Sequence, residues 1–154
     1  MKVVDSSSLL NQRGLLGKRA RDIMTPMPLK VGPEDDVLDV VATMVREGVR
    51  HLPVVDADRR VIGIVSDRDL RTAIGDPIEA LEHDDEEPQE RWPIEAVMSR
   101  NPITAHVDAS LAELAKCLVD ERTGAVPIVD SEDRLVGIVS YVDLLHVAYV
   151  QGGG

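Results

Sequence analysis

The chain has 154 residues and a formal net charge of −11, which argues against non-specific binding to nucleic acid or to anionic membranes. Its hydrophobic fraction of 44% indicates a folded protein, either one domain of ordinary size or two very small domains packed tightly together. There is no Phe, and the aromatic residues are Trp92, Tyr141 and Tyr149. We therefore expect an aliphatic core and no aromatic platform for RNA bases.

The start of the chain, Met1–Gly17, has scattered apolar residues without a clear period, which predicts a partly ordered N-terminal arm. It lacks the apolar region of a signal peptide, and no apolar run approaches the roughly 18 residues of a membrane span. A soluble cytoplasmic protein is the expectation. Cys117 falls in an apolar helical pattern, which favours a buried structural thiol over a nucleophile.

Short strands and helices should alternate along the first half of the chain. A short helix is expected at Ala20–Met24, ended by the prolines that follow it, and a brief strand at Leu29–Val31. Proline and carboxylates at residues 32–36 suit the start of a second helix, for which Gly48 is the terminator. The apolar face of this helix comprises Val37, Val40, Val41, Met44 and Val45.

A hairpin should follow this helix. The runs His51–Val55 and Val61–Val65 are short, apolar and rich in β-branched residues, and the polar residues Asp56–Arg60 between them predict the turn. Ser66 can then cap a helix that runs toward Ile74.

The segment Gly75–Arg91 separates the two halves of the chain by its composition. It holds one basic residue and eight acidic residues, whereas residues 18–74 are neutral overall and residues 92–148 sum to −5. We interpret the segment as a solvated acidic linker, with a docking motif for a protein partner as the alternative. Affinity for anions should lie near the first half.

The second half repeats the first at an offset of 74 residues, without an insertion or deletion. The sequence G-I-V-S-D-R-D at Gly63–Asp69 returns as G-I-V-S-Y-V-D at Gly137–Asp143. The helical face returns as Leu111, Leu114, Ala115, Leu118 and Val119, and further pairs are Met24 with Met98, Pro28 with Pro102, Pro53 with Pro127, and Leu70 with Leu144. A fixed period over so many positions indicates an internal structural repeat.

Each repeat is predicted as strand, helix, strand, strand, helix, over residues 18–74 and 92–150, with a flexible tail at residues 151–154. A unit of roughly 57 residues is too small to be comfortably stable alone, so the two should bury each other's apolar faces. The predicted fold class is α/β, with two β-α-β-β-α repeats packed in pseudo-twofold symmetry and their two serine-to-aspartate turns close together.

These turns, Ser66–Asp69 and Ser140–Asp143, are the candidate functional sites. A serine at a helix start offers its hydroxyl beside free backbone N–H groups, which together suit an anion. A carboxylate one turn later can accept two hydrogen bonds from a vicinal diol. The same residues would also serve as plain N-caps and capping boxes, and their chemistry alone leaves both interpretations open.

No other pattern predicts catalytic or metal chemistry. The histidines, which are His51, His83, His106 and His146, have no ligand spacing. No nucleophile stands with a base, and there is no P-loop sequence. We therefore expect no catalytic residue, no metal site and no catalytic cofactor, and a small enzyme is the weakest of the functional interpretations.

The chain resembles the tandem cystathionine-β-synthase (CBS) domain pair, or Bateman module, over Lys18 to about Val150. The resemblance is carried by the segments M-T-P-M-P and M-S-R-N-P, the strands R-H-L-P-V-V-D and G-A-V-P-I-V-D, and the paired G-I-V-S-x-x-D-L endings. It implies a stand-alone, non-catalytic sensor that binds an adenosine-containing ligand between the repeats and signals to a protein partner. The candidate ligands are AMP, ADP and ATP, then S-adenosylmethionine and NAD.

The resemblance also implies ligand-binding residues. In the family, the serine of the ending contacts phosphate, the aspartate contacts the ribose hydroxyls, and the strand before the proline contributes backbone contacts to the base. The first implied cleft comprises Thr25, Leu29, Arg50, His51, Leu52, Pro53, Ser140 and Asp143. The second comprises Ile103, Gly124, Ala125, Val126, Pro127, Ser66, Arg68 and Asp69. The alternative is a scaffold with empty clefts that docks a partner through the acidic linker.

Two further expectations concern assembly and affinity. The last helix, Tyr141–Val150, is apolar almost all round and needs cover on every side, so we expect a homodimer through this helix and the one at Ser110–Glu121. The cleft that contains Arg50 should bind phosphate more tightly than the cleft that contains Gly124, because glycine supplies no positive charge.

Overall fold

The computed structural model describes residues 17–82, 92–121 and 123–152. The predicted N-terminal arm, apart from Gly17, lies outside these residues, as do residues 83–91 of the predicted linker. The elements in chain order are α1 Ala20–Ile23, β1 Thr25–Pro26, α2 Val37–Glu47, β2 His51–Val55, β3 Val61–Ser66, α3 Asp67–Ile74, α4 Pro77–Glu82, a 3₁₀ turn Ile94–Ala96, β4 Ser99–Arg100, β5 Ala105–His106, α5 Leu111–Asp120, β6 Ala125–Val129, β7 Leu135–Ser140 and α6 Tyr141–Gly152. No helix in the described residues has the length and apolar character needed to cross a membrane.

The chain divides into two compact units. The central unit is Leu29–Pro102, and the terminal unit combines Met1–Pro28 with Ile103–Gly154. Each unit has one small β-sheet and its own cluster of buried aliphatic side chains. The predicted mixed α/β fold class is confirmed.

The central unit is built on the predicted hairpin. Strands β2 and β3 pair antiparallel, with His51 opposite Ser66 at the open end. In the turn, Asp56 Oδ1 accepts hydrogen bonds from the N–H groups of Asp58 and Arg60, each at 2.9 Å. These bonds satisfy the backbone donors that a tight polar turn would otherwise leave unpaired.

Helix α2 supplies most of the central core. Its end at Gly48 is confirmed, because Gly48 has a φ of 66° in the left-handed region that favours glycine. The side chains that α2 buries are Val37, Leu38, Val40, Val41 and Met44. Val45, predicted on this face, is 54% exposed in the last turn of the helix, whereas Leu38 in the first turn is buried.

Helix α4 lies inside the segment that the composition predicted to be a solvated linker. Asp76 Oδ1 accepts a hydrogen bond of 2.9 Å from the N–H of Ile78 at the helix start, and Leu81 packs against the central core. Composition favours a linker when acidic residues dominate, but one capping carboxylate and one apolar contact order a short helix here.

The sheet of the terminal unit has the order β1-β7-β6-β5. Its hairpin of β6 and β7 matches the central one, and β5 runs parallel to β6. Helix α5 begins with a capping box in which Ser110 Oγ accepts a bond of 3.1 Å from the N–H of Glu113. Its buried side chains are Leu114 and Leu118, whereas Ala115 and Val119, predicted on the same face, are exposed. Cys117 is half-buried and packs against this core.

The opening segment of each sequence repeat belongs to the unit that contains most of the other repeat. Strand β1, which opens the first repeat, pairs with β7 of the second, and β4, which opens the second repeat, pairs with β3 of the first. Each segment lays a methionine over a glycine. A Cβ at Gly63 would lie 2.5 Å from Met98 Sδ, and one at Gly137 would lie 2.8 Å from Met24 Cγ. Only glycine allows this approach.

Candidate functional site

The turn after β3 forms a complete capping box. Ser66 Oγ accepts a hydrogen bond of 3.0 Å from the N–H of Asp69, and Asp69 Oδ2 accepts one of 3.0 Å from the N–H of Ser66. Both residues are half-buried at the start of α3. The capping interpretation is therefore confirmed at this turn, although it does not exhaust the carboxylate, which has about four acceptor positions.

The turn after β7 repeats the arrangement in the terminal unit. Asp143 Oδ2 accepts a bond of 2.8 Å from the N–H of Ser140, and Ser140 Oγ accepts one of 3.3 Å from the N–H of Asp143. Both residues are again half-buried. The predicted identity of the two turns thus extends to their hydrogen bonds.

Each turn follows the second strand of its hairpin and lies beside the beginning of the first strand. In the central unit, the N–H of Asp67 donates to the carbonyl of Arg50 at 2.8 Å, so Arg50 and His51 adjoin Ser66. In the terminal unit, the N–H of Tyr141 donates to the carbonyl of Gly124 at 3.3 Å. The antiparallel register brings the strand start and the serine to the same end of each sheet.

His51 contributes a neutral imidazole at this end of the central sheet. Burial lowers the pKa of His51 below its usual value, Arg50 lowers it further, and the carboxylates of Asp69 and Asp67 oppose the change. At neutral pH the positive charge at the strand start therefore belongs to Arg50. A neutral imidazole can still donate one hydrogen bond and accept another.

The other predicted ligand residues divide by exposure. The side chains of Leu52, Pro53, Val126 and Pro127 are buried, so these residues can offer a ligand only backbone groups. Leu29 and Ile103 are 45% and 41% exposed, and Arg68 and Thr25 are exposed. Thr25 pairs with Ile138, two residues before Ser140.

The predicted grouping of Arg50 and His51 with Ser140 and Asp143 joins residues of different units and stays a prediction. Within the central unit, the structure brings Arg50 and His51 next to Ser66 and Asp69. Within the terminal unit, it brings Thr25, Gly124 and Ala125 to the same sheet as Ser140.

Sequence reasoning missed one residue at the central turn. Ser99 of β4 lies opposite Ile64 of β3, which is two residues before Ser66. The side chain of Ser99 is exposed. The signal that would have found it is the offset of 74 residues from Thr25, which was predicted as a site residue.

Metal ligation has no support in the described part of the chain, where no group of three or more His, Cys, Asp or Glu side chains converges. His106 Nδ1 lies 3.6 Å from Asp108 Oδ2, but no third ligand accompanies this pair among the described residues. His83 lies outside them.

The family follows from a comparison with known proteins. The family model of the CBS domain matches the chain twice, at residues 20–76 and 94–149. The chain belongs to the CBS-domain family. The predicted tandem CBS pair is confirmed, and both capping boxes lie inside the matched residues.

Three similar proteins illustrate the family. The chain is 34% identical over 115 residues to a CBS domain-containing protein of Dictyostelium discoideum, an alignment that covers 73% of the chain and 79% of the relative. Its structure matches that of CBSX2 of Arabidopsis thaliana in complex with AMP, with a TM-score of 0.73 and 26% identity over 88% of the chain and 99% of CBSX2. It also matches the CBS domain pair of protein MJ0100 in complex with 5′-methylthioadenosine and S-adenosyl-L-methionine, with a TM-score of 0.69 and 26% identity over 89% of the chain and 98% of that pair.

Several other relatives are much longer than this chain. Four of them bear the names of enzymes, and the chain spans 21% to 23% of their lengths. In these proteins the CBS pair is one part of a larger chain.

Proposed function

We propose that this CBS pair is a non-catalytic regulatory module that senses an adenosine-containing ligand and passes its occupancy to a protein partner. AMP, ADP and ATP are the first candidates, followed by S-adenosylmethionine and NAD. The observation that carries the proposal is the pair of equivalent capping boxes, each beside a strand start. The complexes of similar CBS pairs with AMP and with adenosyl compounds support the ligand class.

The chemistry of the box suits a nucleoside. Each aspartate uses Oδ2 to accept the serine N–H, and the remaining acceptor capacity of the carboxylate can bind the two hydroxyls of a ribose. The serine lies at a helix start, where backbone N–H groups and the positive end of the helix dipole favour phosphate.

Residues that share a unit should share a ligand. Arg50 and His51 adjoin Ser66 in one hairpin, so they would act with Ser66 and Asp69 on one phosphate and ribose. Thr25, Gly124 and Ala125 would act with Ser140 and Asp143. This grouping competes with the one predicted from the sequence, in which Arg50 acts with Asp143.

Calorimetric titration of AMP and ATP into wild type, Arg50→Ala, Asp69→Ala and Asp143→Ala distinguishes the two groupings. A charge-assisted hydrogen bond to phosphate contributes about 1.5 to 3 kcal/mol, so losing Arg50 should weaken the tighter event by about tenfold or more. Joint loss of this event in Arg50→Ala and Asp69→Ala supports grouping by unit. Joint loss of this event in Arg50→Ala and Asp143→Ala supports the grouping predicted from the sequence, in which Arg50 acts with Asp143.

A thermal-shift panel with AMP, ADP, ATP, S-adenosylmethionine and NAD tests the function itself, because a ligand that binds only the folded state raises the melting temperature. The matched control is the double variant Asp69→Ala/Asp143→Ala, whose melting temperature should not respond. No shift with any of the five at millimolar concentration would contradict ligand sensing and favour the scaffold alternative.

We further propose that the chain forms a homodimer. An apolar stripe on α5 and α6 is exposed in the single chain, with Val119 at 74%, Leu145 at 63% and Tyr149 at 79%, and Tyr141 and Val142 extend it. Exposed apolar surface of this kind is typical of an interface, and a second copy offers a self-complementary cover.

Light scattering at micromolar concentration should return twice the mass of the chain, which is 16.8 kDa. Leu145→Glu should give a monomer with an unchanged fold, whereas Ile78→Glu, an equally exposed apolar position in the central unit, should stay dimeric. A monomer mass for the wild type would contradict the proposal.

A further inference from the structure

A cavity of about 570 Å³ opens in the central unit between the first turn of α2, the end of α3, helix α4 and Trp92. Its lining residues include Val37, Ile74 and Trp92 together with the carboxyl residues Asp36, Asp76 and Glu79. The residues of the candidate nucleotide site do not line it. Cavities of this size with apolar walls and a few polar groups are typical of small-molecule sites.

The described residues that line this cavity carry charge of one sign. Three of its lining residues are acidic, and none of the described lining residues is basic. A concave surface lined by one sign of charge concentrates counter-ions of the opposite sign. The chemistry therefore favours a cation over the phosphates expected at the serine turns.

Asp36 differs from its counterpart in the other repeat. Ser110 occupies the equivalent position before α5, and its hydroxyl caps that helix by accepting the N–H of Glu113. The Asp36 side chain makes no such bond in the described first turn of α2. A carboxylate at an N-cap position normally caps, so Asp36 keeps its acceptors for the cavity that it lines.

Trp92 adds a second mode of cation recognition. It is 41% exposed beside the cavity, and its carbonyl accepts a hydrogen bond of 2.9 Å from the N–H of Val37, which holds it against the start of α2. The face of an indole attracts ammonium groups more strongly than any other side-chain ring. Carboxylates together with an indole suit an ammonium group attached to an apolar body.

We propose that this cavity binds a small organic cation, namely an amine or quaternary ammonium compound with a compact apolar portion. The carboxylates of Asp36 and Glu79 balance its charge, Trp92 contacts its ammonium group, and Val37 and Ile74 contact its apolar portion. At the offset of 74 residues, Ser110 and Lys18 of the terminal unit take the positions equivalent to Asp36 and Trp92, so the site belongs to the central unit alone.

Trp92 is the single Trp of the chain, so its fluorescence reports directly on the cavity. The probes are choline, agmatine and spermidine, titrated to about 10 mM, at which a site with a Kd of about 1 mM would be nearly filled. At least one should give a saturable change. The neutral isostere of choline, 3,3-dimethylbutan-1-ol, should give none, because it has the same shape without the charge.

Matched variants distinguish binding in this cavity from non-specific attraction of cations to an acidic protein. Asp36→Asn should weaken binding of the responding probe by about tenfold and leave AMP binding unchanged. Asp39→Asn removes the same charge from an exposed position on the same helix, outside the cavity, and should bind like wild type. Melting temperatures of both variants confirm that they are folded.

The proposal is wrong if none of the three probes gives a saturable change, or if the neutral isostere responds as choline does. Equal affinity in Asp36→Asn and wild type would also overturn it, as would equal losses in Asp36→Asn and Asp39→Asn. About tenfold weaker binding of the responding probe together with intact AMP binding in Asp36→Asn supports it.

Discussion

The central and terminal units contain the same serine-to-aspartate turn with different side chains around it. Beside its serine turn the central unit places Arg50 and His51, where the terminal unit has Gly124 and Ala125. The central helix α2 buries Val41 to 1% exposure, whereas the equivalent Ala115 of α5 is exposed. The central unit thus has a positively charged residue at its strand start, and the terminal unit has exposed apolar side chains on α5 and α6.

The difference shows which positions of a duplicated unit are free to diverge. A backbone turn requires only glycine, serine and aspartate at fixed positions, and both repeats keep them. Side chains that do not determine the turn are free to diverge. Charge at the strand start and apolar residues on the outer helices are of this second kind, and in our proposal they separate ligand recognition from assembly.

The largest expected effect comes from filling the space above the two glycines. Gly63→Ala and Gly137→Ala should each lower the free energy of unfolding by about 1 to 3 kcal/mol, because the added methyl group overlaps a methionine side chain. At Gly137 the nearest atoms all belong to Met24, whereas at Gly63 the backbone oxygen of Ser99 lies 3.0 Å from the added atom.

Chemical denaturation of two double variants, Gly137→Ala/Met24→Ala and Gly63→Ala/Met98→Ala, sharpens this comparison. Met24→Ala should recover part of the loss in Gly137→Ala, since it removes Sδ and Cγ. Met98→Ala should recover less in Gly63→Ala, because the Ser99 carbonyl cannot move away as a side chain can. Equal recovery in both units would contradict the geometric account.

The next effect concerns charge at the strand starts. Gly124→Arg gives the terminal unit the guanidinium that Arg50 supplies in the central unit, and Gly124 does not have a positive φ that would disfavour a side chain. Calorimetry with AMP should show the weaker binding event strengthened by about tenfold. Gly124→Gln, which adds length without charge, is the control and should change little.

Loss of the N-cap side chain should affect helices α2 and α5 differently, with a smaller change in the free energy of unfolding than the substitutions above. Ser110→Ala removes a hydrogen-bonded cap from α5 and should lower the free energy of unfolding by about 1 kcal/mol. Asp36→Ala removes a side chain that does not cap α2 and should lower it by less. Thermal unfolding of both variants tests the difference, and a larger loss in Asp36→Ala would contradict the structure of the first turn.

The smallest effect is a pH dependence that His51 gives to the stability of the central unit. Because the pKa of His51 is lower in the folded state, the unfolded state binds the proton more readily, and stability falls as pH decreases through about 6.5 toward the folded pKa. His51→Gln should flatten the stability profile between about pH 7 and 5. His106→Gln serves as the control, and an unchanged slope in His51→Gln would contradict the burial of this imidazole.

The ends of α2 and α3 and the extent of β2 could be read from the sequence, because each depends on neighbours in the chain. Gly48 ends α2 through its own φ, and Ser66 and Asp69 bond to each other across three residues. The assignment of ligand residues stays a prediction. The hairpin predicted from the sequence brings Arg50 next to Ser66, but residue spacing does not state which ligand either residue binds.

By itself, the sequence determined the repeat, its offset of 74 residues, the mixed α/β class and the two serine-to-aspartate turns. These features follow from local hydrogen bonding and from side-chain periodicity. Only the tertiary structure decided that β1 and β4 pair with the opposite repeats, that Ala115 and Val119 are left exposed, and that Asp36 lines a cavity with Trp92. Such features depend on contacts between distant residues, and the free energy of those contacts cannot be read from the neighbours of any one residue.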